Sequence, residues 1–162
     1  MDSKQLNTIS INKLKEVTPD LYTNELHIAR PFFILNTLLY KKGEEIITKN
    51  YNLNQTELDI LASLYYSPHD DFSLTPTELS ERMLFSSGGM TKVLKKLEVK
   101  QYITRVNNNV DKRSKLVQIT TLGKQISYKA LKEVIEFETN YFTKLSTKEQ
   151  EQLKTLLYKI LD

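Results

Sequence analysis

Residues 75–123 read TPTELSERMLFSSGGMTKVLKKLEVKQYITRVNNNVDKRSKLVQITTLG and open with a helix-start signal. Thr75 and Glu78 have the spacing of a capping box, in which the hydroxyl and the carboxylate bond each other's backbone N–H groups. Pro76 stands at the first helical position, where its missing N–H costs nothing. We therefore expect a short helix to begin here, with Leu79 and Met83 facing inward.

A second helix is predicted directly after a tight connection near residue 85, with Ser86 or Ser87 as its cap. Its apolar residues recur at the i, i+3, i+4, i+7 spacing of a buried stripe. They are Met90, Val93, Leu94 and Leu97. The opposite face carries small, polar or cationic residues, which is the composition that a helix needs to enter the DNA major groove. Those residues are Ser86, Ser87, Gly88, Gly89, Thr91, Lys92 and Lys95.

A β-hairpin is predicted next, from two β-prone runs at 102–106 and 115–119 around a polar turn at 107–111. A helix, a tight turn, a basic helix and a hairpin in this order are typical of a winged helix-turn-helix. The fold class we expect is mainly α, with a small β-hairpin wing.

Positive charge is concentrated in residues 75–124, which contain ten Lys or Arg against four Asp or Glu, a net of +6. The whole chain is only +3, so the remaining residues sum to −3. One cationic segment on a slightly acidic chain is typical of a protein that docks on nucleic-acid phosphates. Double-stranded DNA is therefore the expected partner.

The flanking sequence predicts further helices, at about 24–49, 54–66, 121–143 and 147–161, with a loop at 67–71. Residues 1–20 are expected to form a short amphipathic helix that ends at Pro19. Pro31 should kink the helix predicted at about 24–49 or mark its true start. Asn54 with Glu57, and Ser146 with Glu149, are predicted caps.

Several classes of function are excluded or disfavoured by composition. The 162 residues contain no cysteine, which excludes disulfides, thiol nucleophiles, cysteine-based zinc sites and thiol redox sensing. The two histidines, His27 and His69, lack a carboxylate three or four residues later, and no phosphate-binding loop or nucleophile-elbow motif is present. We expect no enzyme, cofactor or metal. Because no apolar run long enough to span a membrane and no signal sequence is evident, a cytoplasmic location is expected.

Three motifs in the same order resemble the MarR family of bacterial transcription regulators, over about residues 21–161. Residues 74–80, LTPTELS, are similar to the family's first helix-turn-helix helix, and residues 86–103 resemble its recognition helix running into the wing. Most specific is DKRSKLVQITTLG at 111–123, which is similar to the wing signature of D-x-R followed by L-T-x-x-G. The chain departs from the family in its 20-residue N-terminal extension and in the extra wing lysines Lys112 and Lys115.

The resemblance implies a homodimer that binds a pseudo-palindromic operator. It places the winged helix at about 53–121 and dimerisation helices at about 21–50 and 122–161, after the extension at 1–20. It also implies that Arg113 enters the minor groove and that Asp111 orients it. The full set of expected DNA-contacting residues is Thr75, Thr77, Ser86, Ser87, Gly88, Gly89, Thr91, Lys92, Lys95, Asn108, Asp111, Lys112, Arg113 and Lys115.

The resemblance further implies a pocket for a small aromatic effector, for which Phe33, Tyr65 and Tyr66 are the candidate residues. The alternative is that these aromatic residues build the core and the dimer seam, and that no ligand controls the protein. An alternative function is a winged-helix protein-interaction module without sequence-specific DNA binding. Such a module should present apolar anchors on its exposed helix, whereas this helix presents Ser, Gly, Thr and Lys.

Overall fold

The computed structural model describes residues 3–83, 87–108 and 114–161 and divides into two compact units, residues 1–42 and 43–162. The first unit contains helix α1, Ser3–Val17, and a 3-10 turn at Pro19–Leu21. Residues 3–17 are therefore helical, and this helix ends before Pro19 as expected. Helix α2, Leu26–Tyr51, starts in this unit and contains Pro31 inside it. Pro31 thus does not mark the start of that helix.

The described residues of the second unit form five more helices: α3 at Gln55–Tyr65, α4 at Pro76–Met83, α5 at Ser87–Val99, α6 at Thr121–Phe142 and α7 at Thr147–Leu161. The predicted cap of α3 is present, because the Glu57 N–H donates to Asn54 Oδ1 at 2.8 Å and the Asn54 N–H donates to Glu57 Oε2 at 3.1 Å. Helix α7 has the same arrangement, with the Ser146 N–H donating to Glu149 Oε2 at 2.8 Å. Local capping chemistry therefore fixes where these helices begin.

The sheet has three antiparallel strands in the order β1-β3-β2. The wing strands β2, Ile103–Asn107, and β3, Lys115–Ile119, pair over their whole length, from Ile103 opposite Ile119 to Asn107 opposite Lys115. Strand β1, Ser73–Leu74, pairs with the Val117–Gln118 part of β3. The sequence predicted only the hairpin, because two residues are too few to show a strand periodicity.

The core of the second unit forms where α3 meets α4, α5 and the sheet. The inward-facing residues predicted for the two helices of the helix-turn-helix are confirmed: Leu79, Met90, Leu94 and Leu97 are buried, and Met83 and Val93 pack against them. Burying each of these large side chains is worth about 1.5–3 kcal/mol. The apolar stripe of α5 is thus buried in the core, and the opposite face of the helix is in contact with solvent.

Gly123, in the first turn of α6, lies where the backbone of this helix approaches that of Tyr102 closely. A Cβ there would overlap the carbonyl oxygen of Tyr102 and lie 2.8 Å from Ile119 Cγ1. The same carbonyl accepts hydrogen bonds from the N–H of Thr120 at 3.0 Å and from its hydroxyl at 3.2 Å. The glycine of the wing signature therefore allows α6 to start against the base of the wing.

Candidate nucleic-acid interface

The start of α4 is held by the predicted capping box. The Glu78 N–H donates to Thr75 Oγ1 at 3.1 Å, and the Thr75 N–H donates to Glu78 Oε2 at 2.7 Å. The hydrogen bond from the Thr75 backbone lowers the pKa of Glu78, and the one from the Thr75 hydroxyl lowers it further. The Thr75 hydroxyl is therefore engaged in the cap, whereas Thr77 in the first turn is exposed.

Helix α5 has two chemically different faces. Met90, Leu94 and Leu97 are buried, and Thr91, Lys92 and Lys95 are exposed. Gly89 is half-buried in the first turn of the helix. Ser87 and Gly88 belong to the same helix, and at these two positions the structure describes only the backbone. Of the residues that the sequence predicted for this face, Thr91, Lys92 and Lys95 are thus exposed.

Lys96 belongs to the same exposed surface, although the sequence reasoning did not assign it a role. It is exposed and follows Lys92 by four residues, so the two lysines lie on one side of the helix. The i, i+4 spacing was the signal that could have identified it.

The wing strands bring Asn107 and Lys115 opposite each other, and Lys115 is exposed. Asn108 Nδ2 donates to Ser114 Oγ at 2.9 Å, which joins the two strands beyond their last pair. Four of the residues expected to contact DNA lie outside the described residues: Ser86, Asp111, Lys112 and Arg113.

Two cations of the basic segment are paired inside the protein. Lys100 Nζ lies 2.9 Å from Glu57 Oε2, and the side chain of Glu57 is almost fully buried. Arg105 Nε lies 2.9 Å from Glu98 Oε1, and both of these side chains are partly buried. Neither cation is available to a phosphate without breaking its ion pair, so the usable positive charge is smaller than the residue count suggests.

The MarR family model matches residues 53–115, which cover α3, β1, α4, α5, β2 and the segment up to the first residue of β3. The chain is 33% identical over 130 residues to the organic hydroperoxide resistance transcriptional regulator of Bacillus subtilis, covering 77% of this chain and 85% of that one. This chain belongs to the MarR family. It is also 35% identical over 95 residues to the transcriptional regulator SarZ of Staphylococcus epidermidis, a match that spans 62% of SarZ and 55% of this chain.

Solved MarR-family structures have the same fold. A mutant of the E. coli MarR aligns with a TM-score of 0.71 at 26% identity and covers 83% of this chain. A MarR mutant from E. coli complexed with operator DNA aligns with a TM-score of 0.68 at 25% identity and covers 92% of this chain and 98% of that one. The predicted family and fold class are both confirmed.

The relatives of this MarR-family chain are named transcriptional regulators rather than enzymes, which confirms the expectation of no enzyme. Within residues 3–83, 87–108 and 114–161, no group of three or more His, Asp or Glu is placed to hold a metal ion. The helices in that part of the chain are also too short or too polar to cross a membrane.

The three candidate ligand residues lie in different units. Tyr65, at the end of α3, is half-buried against the core, and its ring centroid lies 5.2 Å from that of Tyr66 and 6.4 Å from that of Phe72. Tyr66 is 66% exposed. Phe33 belongs to the first unit, is 62% exposed, and borders a cavity of about 520 Å³ between α1 and α2 that also contains Arg30.

Proposed function

We propose that this chain is a sequence-specific DNA-binding transcriptional regulator that acts in the cytoplasm as a homodimer on a pseudo-palindromic operator. The observation that carries the proposal is the division of α5 into a buried apolar face and an exposed face of Thr91, Lys92 and Lys95 beside a basic wing. A helix presented in this way fits the major groove, while an adjacent wing reaches the flanking backbone or minor groove.

The residues of this surface fall into two groups by chemistry. Lys92, Lys95 and Lys96 are point charges on flexible stems and suit phosphates. Ser87, Gly89 and Thr91 are short, so they allow close approach to base edges, where hydrogen bonds and methyl contacts read sequence. We infer the same kind of division for the wing, with Lys112 and Lys115 on phosphates, Arg113 in the minor groove and Asp111 orienting it.

The remaining candidates act at the start of α4 and at the base of the turn. Thr77 is exposed in the first turn of α4, where its hydroxyl can donate to a phosphate. Thr75 fixes where that helix begins through its cap, and Asn108 holds the wing strands together through Ser114. We infer that these two residues support the interface geometry as well as any direct contact.

The proposal of a homodimer is supported by apolar side chains that the single chain leaves in water. On α7, Leu156, Ile160 and Leu161 are exposed. Separately, in the first unit, Phe32 and Phe33 of α2 are exposed. A second copy that covers such surfaces would gain about 25 cal/mol for each Å² of apolar area buried. The dimerisation helices are proposed at about 21–50 and 122–161, flanking a winged helix at about 53–121.

Two modes of control are consistent with the sequence. A small aromatic ligand could enter near Tyr65, Tyr66 or Phe33. It would release DNA only if it bound the DNA-free conformation of the protein more tightly than the DNA-bound one, and such a coupling free energy is typically about 1–3 kcal/mol. The second mode has no ligand, and the amount of protein alone controls how much operator is occupied. Thiol oxidation is excluded because the chain contains no cysteine, although one relative is named for organic hydroperoxide resistance.

The alternative of a protein-interaction module is disfavoured by the exposed face of α5. Among its described side chains, residues 89–99, the only exposed large apolar one is Val99 at the final position. A docking helix would place such anchors at the centre of its exposed face.

The test is to select DNA from a random library with the purified protein and then footprint the selected site. Two protected half-sites about 34 Å apart are expected for a dimer. Protection of a single half-site at saturating protein would refute the dimer, and recovery of no enriched sequence would refute specific binding. Salicylate and mild peroxide are then added separately to the complex. Rapid release by peroxide without methionine oxidation would contradict the argument from cysteine.

A further inference from the structure

We propose that Lys124, which belongs to the basic segment, does not contact DNA but positions the wing by holding Phe72 against the base of strand β3. The Lys124 ammonium lies 3.1 Å from the centroid of the Phe72 ring. This inference rests on the proposed function, since the purpose of the wing is to reach DNA.

Phe72 lies at a corner where hydrogen bonds join the loop at 67–71 to the end of strand β3. Its φ of 55° is in the left-handed region, which is uncommon for a bulky residue and must be maintained by its surroundings. Its N–H donates to the His69 carbonyl at 2.9 Å, and its own carbonyl accepts from the Ile119 N–H at 3.3 Å. The half-buried ring faces that of Tyr65 at 6.4 Å.

The loop before Phe72 is joined to the same strand. Gln118 Nε2 donates to the Asp71 carbonyl at 3.0 Å, and Ser73 of β1 pairs with Gln118. The Asp71 carboxylate accepts from the Ser73 hydroxyl at 2.7 Å. On the side of β3 that faces away from β2, the last residues are therefore held by the loop that Phe72 ends, and displacement of Phe72 would free the Ile119 N–H from its acceptor.

Lys124 reaches this corner from the first turn of α6. Its N–H donates to the Thr120 carbonyl at 2.9 Å, and its side chain is half-buried. In the described residues no carboxylate forms an ion pair with it, so its charge is directed at the aromatic ring. A cation over an aromatic face is attracted by the ring's quadrupole, and the attraction is stronger when the pair is partly desolvated.

The position of Lys124 also separates it from the part of the wing that approaches DNA. Strand β3 begins at Lys115 beside the turn and ends at Ile119. At about 3.4 Å per residue, the strand places the base of the wing about 14 Å from the turn. Lys124 follows the base, so the contribution of its charge is to the corner rather than to a phosphate.

The experiment compares Lys124→Met, which keeps the aliphatic stem, with Lys124→Arg, which keeps a cation above the ring. Lys129→Met, on the exposed side of the same helix, controls for the loss of one positive charge. In the free protein, amide exchange of Ile119 should accelerate by about 2- to 30-fold in Lys124→Met, the range that a cation–π contact supplies. Lys124→Arg and Lys129→Met should exchange as the wild type does.

DNA binding supplies the second readout. Lys124→Met should lose footprint protection at the wing position and keep it under α5, and the slope of log K against log salt should fall together with that protection because the wing lysines leave their phosphates. Lys92→Ala should flatten that slope by about 1, because it removes a phosphate contact. A slope that falls by about 1 in Lys124→Met while the wing position stays protected would show a direct phosphate contact and overturn the proposal. So would unchanged amide exchange, or a failure of arginine to restore it.

A double-mutant cycle with Phe72→Leu tests the partner. The effect of Lys124→Met on Ile119 exchange should disappear once the ring is gone, since both residues act through one contact. Full additivity would overturn the proposal. If the wild-type protein bound no DNA, the proposed function would fail, while the exchange comparison would still decide the role of Lys124.

Discussion

Two glycines in helices should respond in opposite directions to replacement by alanine, and the structure shows why. At Gly123 a Cβ would overlap the Tyr102 carbonyl oxygen. At Gly43, inside α2, the nearest atom would be Val134 Cγ1 at 3.8 Å, an ordinary van der Waals contact. The two sites share a burial class and a helical backbone, so Gly43→Ala is a matched control for Gly123→Ala.

The magnitude for Gly123→Ala is the difference between opposing effects. Alanine gains about 1 kcal/mol of helix propensity over glycine. Relieving the overlap must move α6 from Tyr102, which weakens two hydrogen bonds worth about 0.5–1.5 kcal/mol each. Residual overpacking adds about 1–3 kcal/mol. We expect a net loss of about 2–4 kcal/mol in the free energy of unfolding, and for Gly43→Ala a gain of about 0.5–1 kcal/mol.

Urea denaturation followed by circular dichroism measures both variants under the same conditions. The wing of Gly123→Ala should also lose DNA affinity, because its base is displaced from α6. A Gly123→Ala protein as stable as the wild type would refute the reasoning, since it would mean that the corner relaxes without cost. A Gly43→Ala protein destabilised by more than about 1 kcal/mol would show that the space beside Gly43 does not accept a methyl group, contrary to the 3.8 Å contact.

Three further outcomes are expected. Lys92→Ala should weaken binding to all DNA sequences similarly and reduce the salt slope by about 1, whereas Lys129→Ala should leave it unchanged; equal slopes would contradict the phosphate assignment. Because the pKa of Glu78 is lowered in the folded state, its contribution to stability is present above the ordinary glutamate range and is lost as the pH falls through the lowered value. Glu78→Gln should therefore show a shallower decline of unfolding free energy in acid, and an identical decline would exclude that contribution. Deleting residues 146–162 should abolish dimerisation and operator binding together, as measured by light scattering and gel shift; a truncated dimer would place the seam elsewhere.

The fold was largely predictable because its signals are local. The Thr75–Glu78 box and the 90–97 stripe each depend on residues within one or two turns, and both are present as expected. Strand β1 was missed because its two residues acquire their conformation from pairing with β3, more than 40 residues later. A local sequence pattern does not show which distant strand a segment pairs with.

The candidate site was less predictable, because the sequence gives the number of lysines and arginines and does not show which of them are paired with other side chains. Lys100 pairs with Glu57, 43 positions earlier in the chain, and Lys124 lies over the ring of Phe72. Nothing in the local pattern around these lysines distinguishes them from Lys92, which is exposed. Side-chain availability is a property of packing, whereas net charge is a property of composition.

The Glu57 carboxylate restricts how such a protein can be switched. Its Oε2 accepts from the Asn54 N–H at the start of α3 and from Lys100 Nζ just after the end of α5. Lys100 Nζ also donates to the Asn52 carbonyl at 2.6 Å. Sliding α5 along its own axis would leave a buried carboxylate without its cation, which costs about 3–5 kcal/mol. We therefore expect that an effector worth less than that would move α3 and α5 together and would not withdraw α5, the helix that we propose faces DNA.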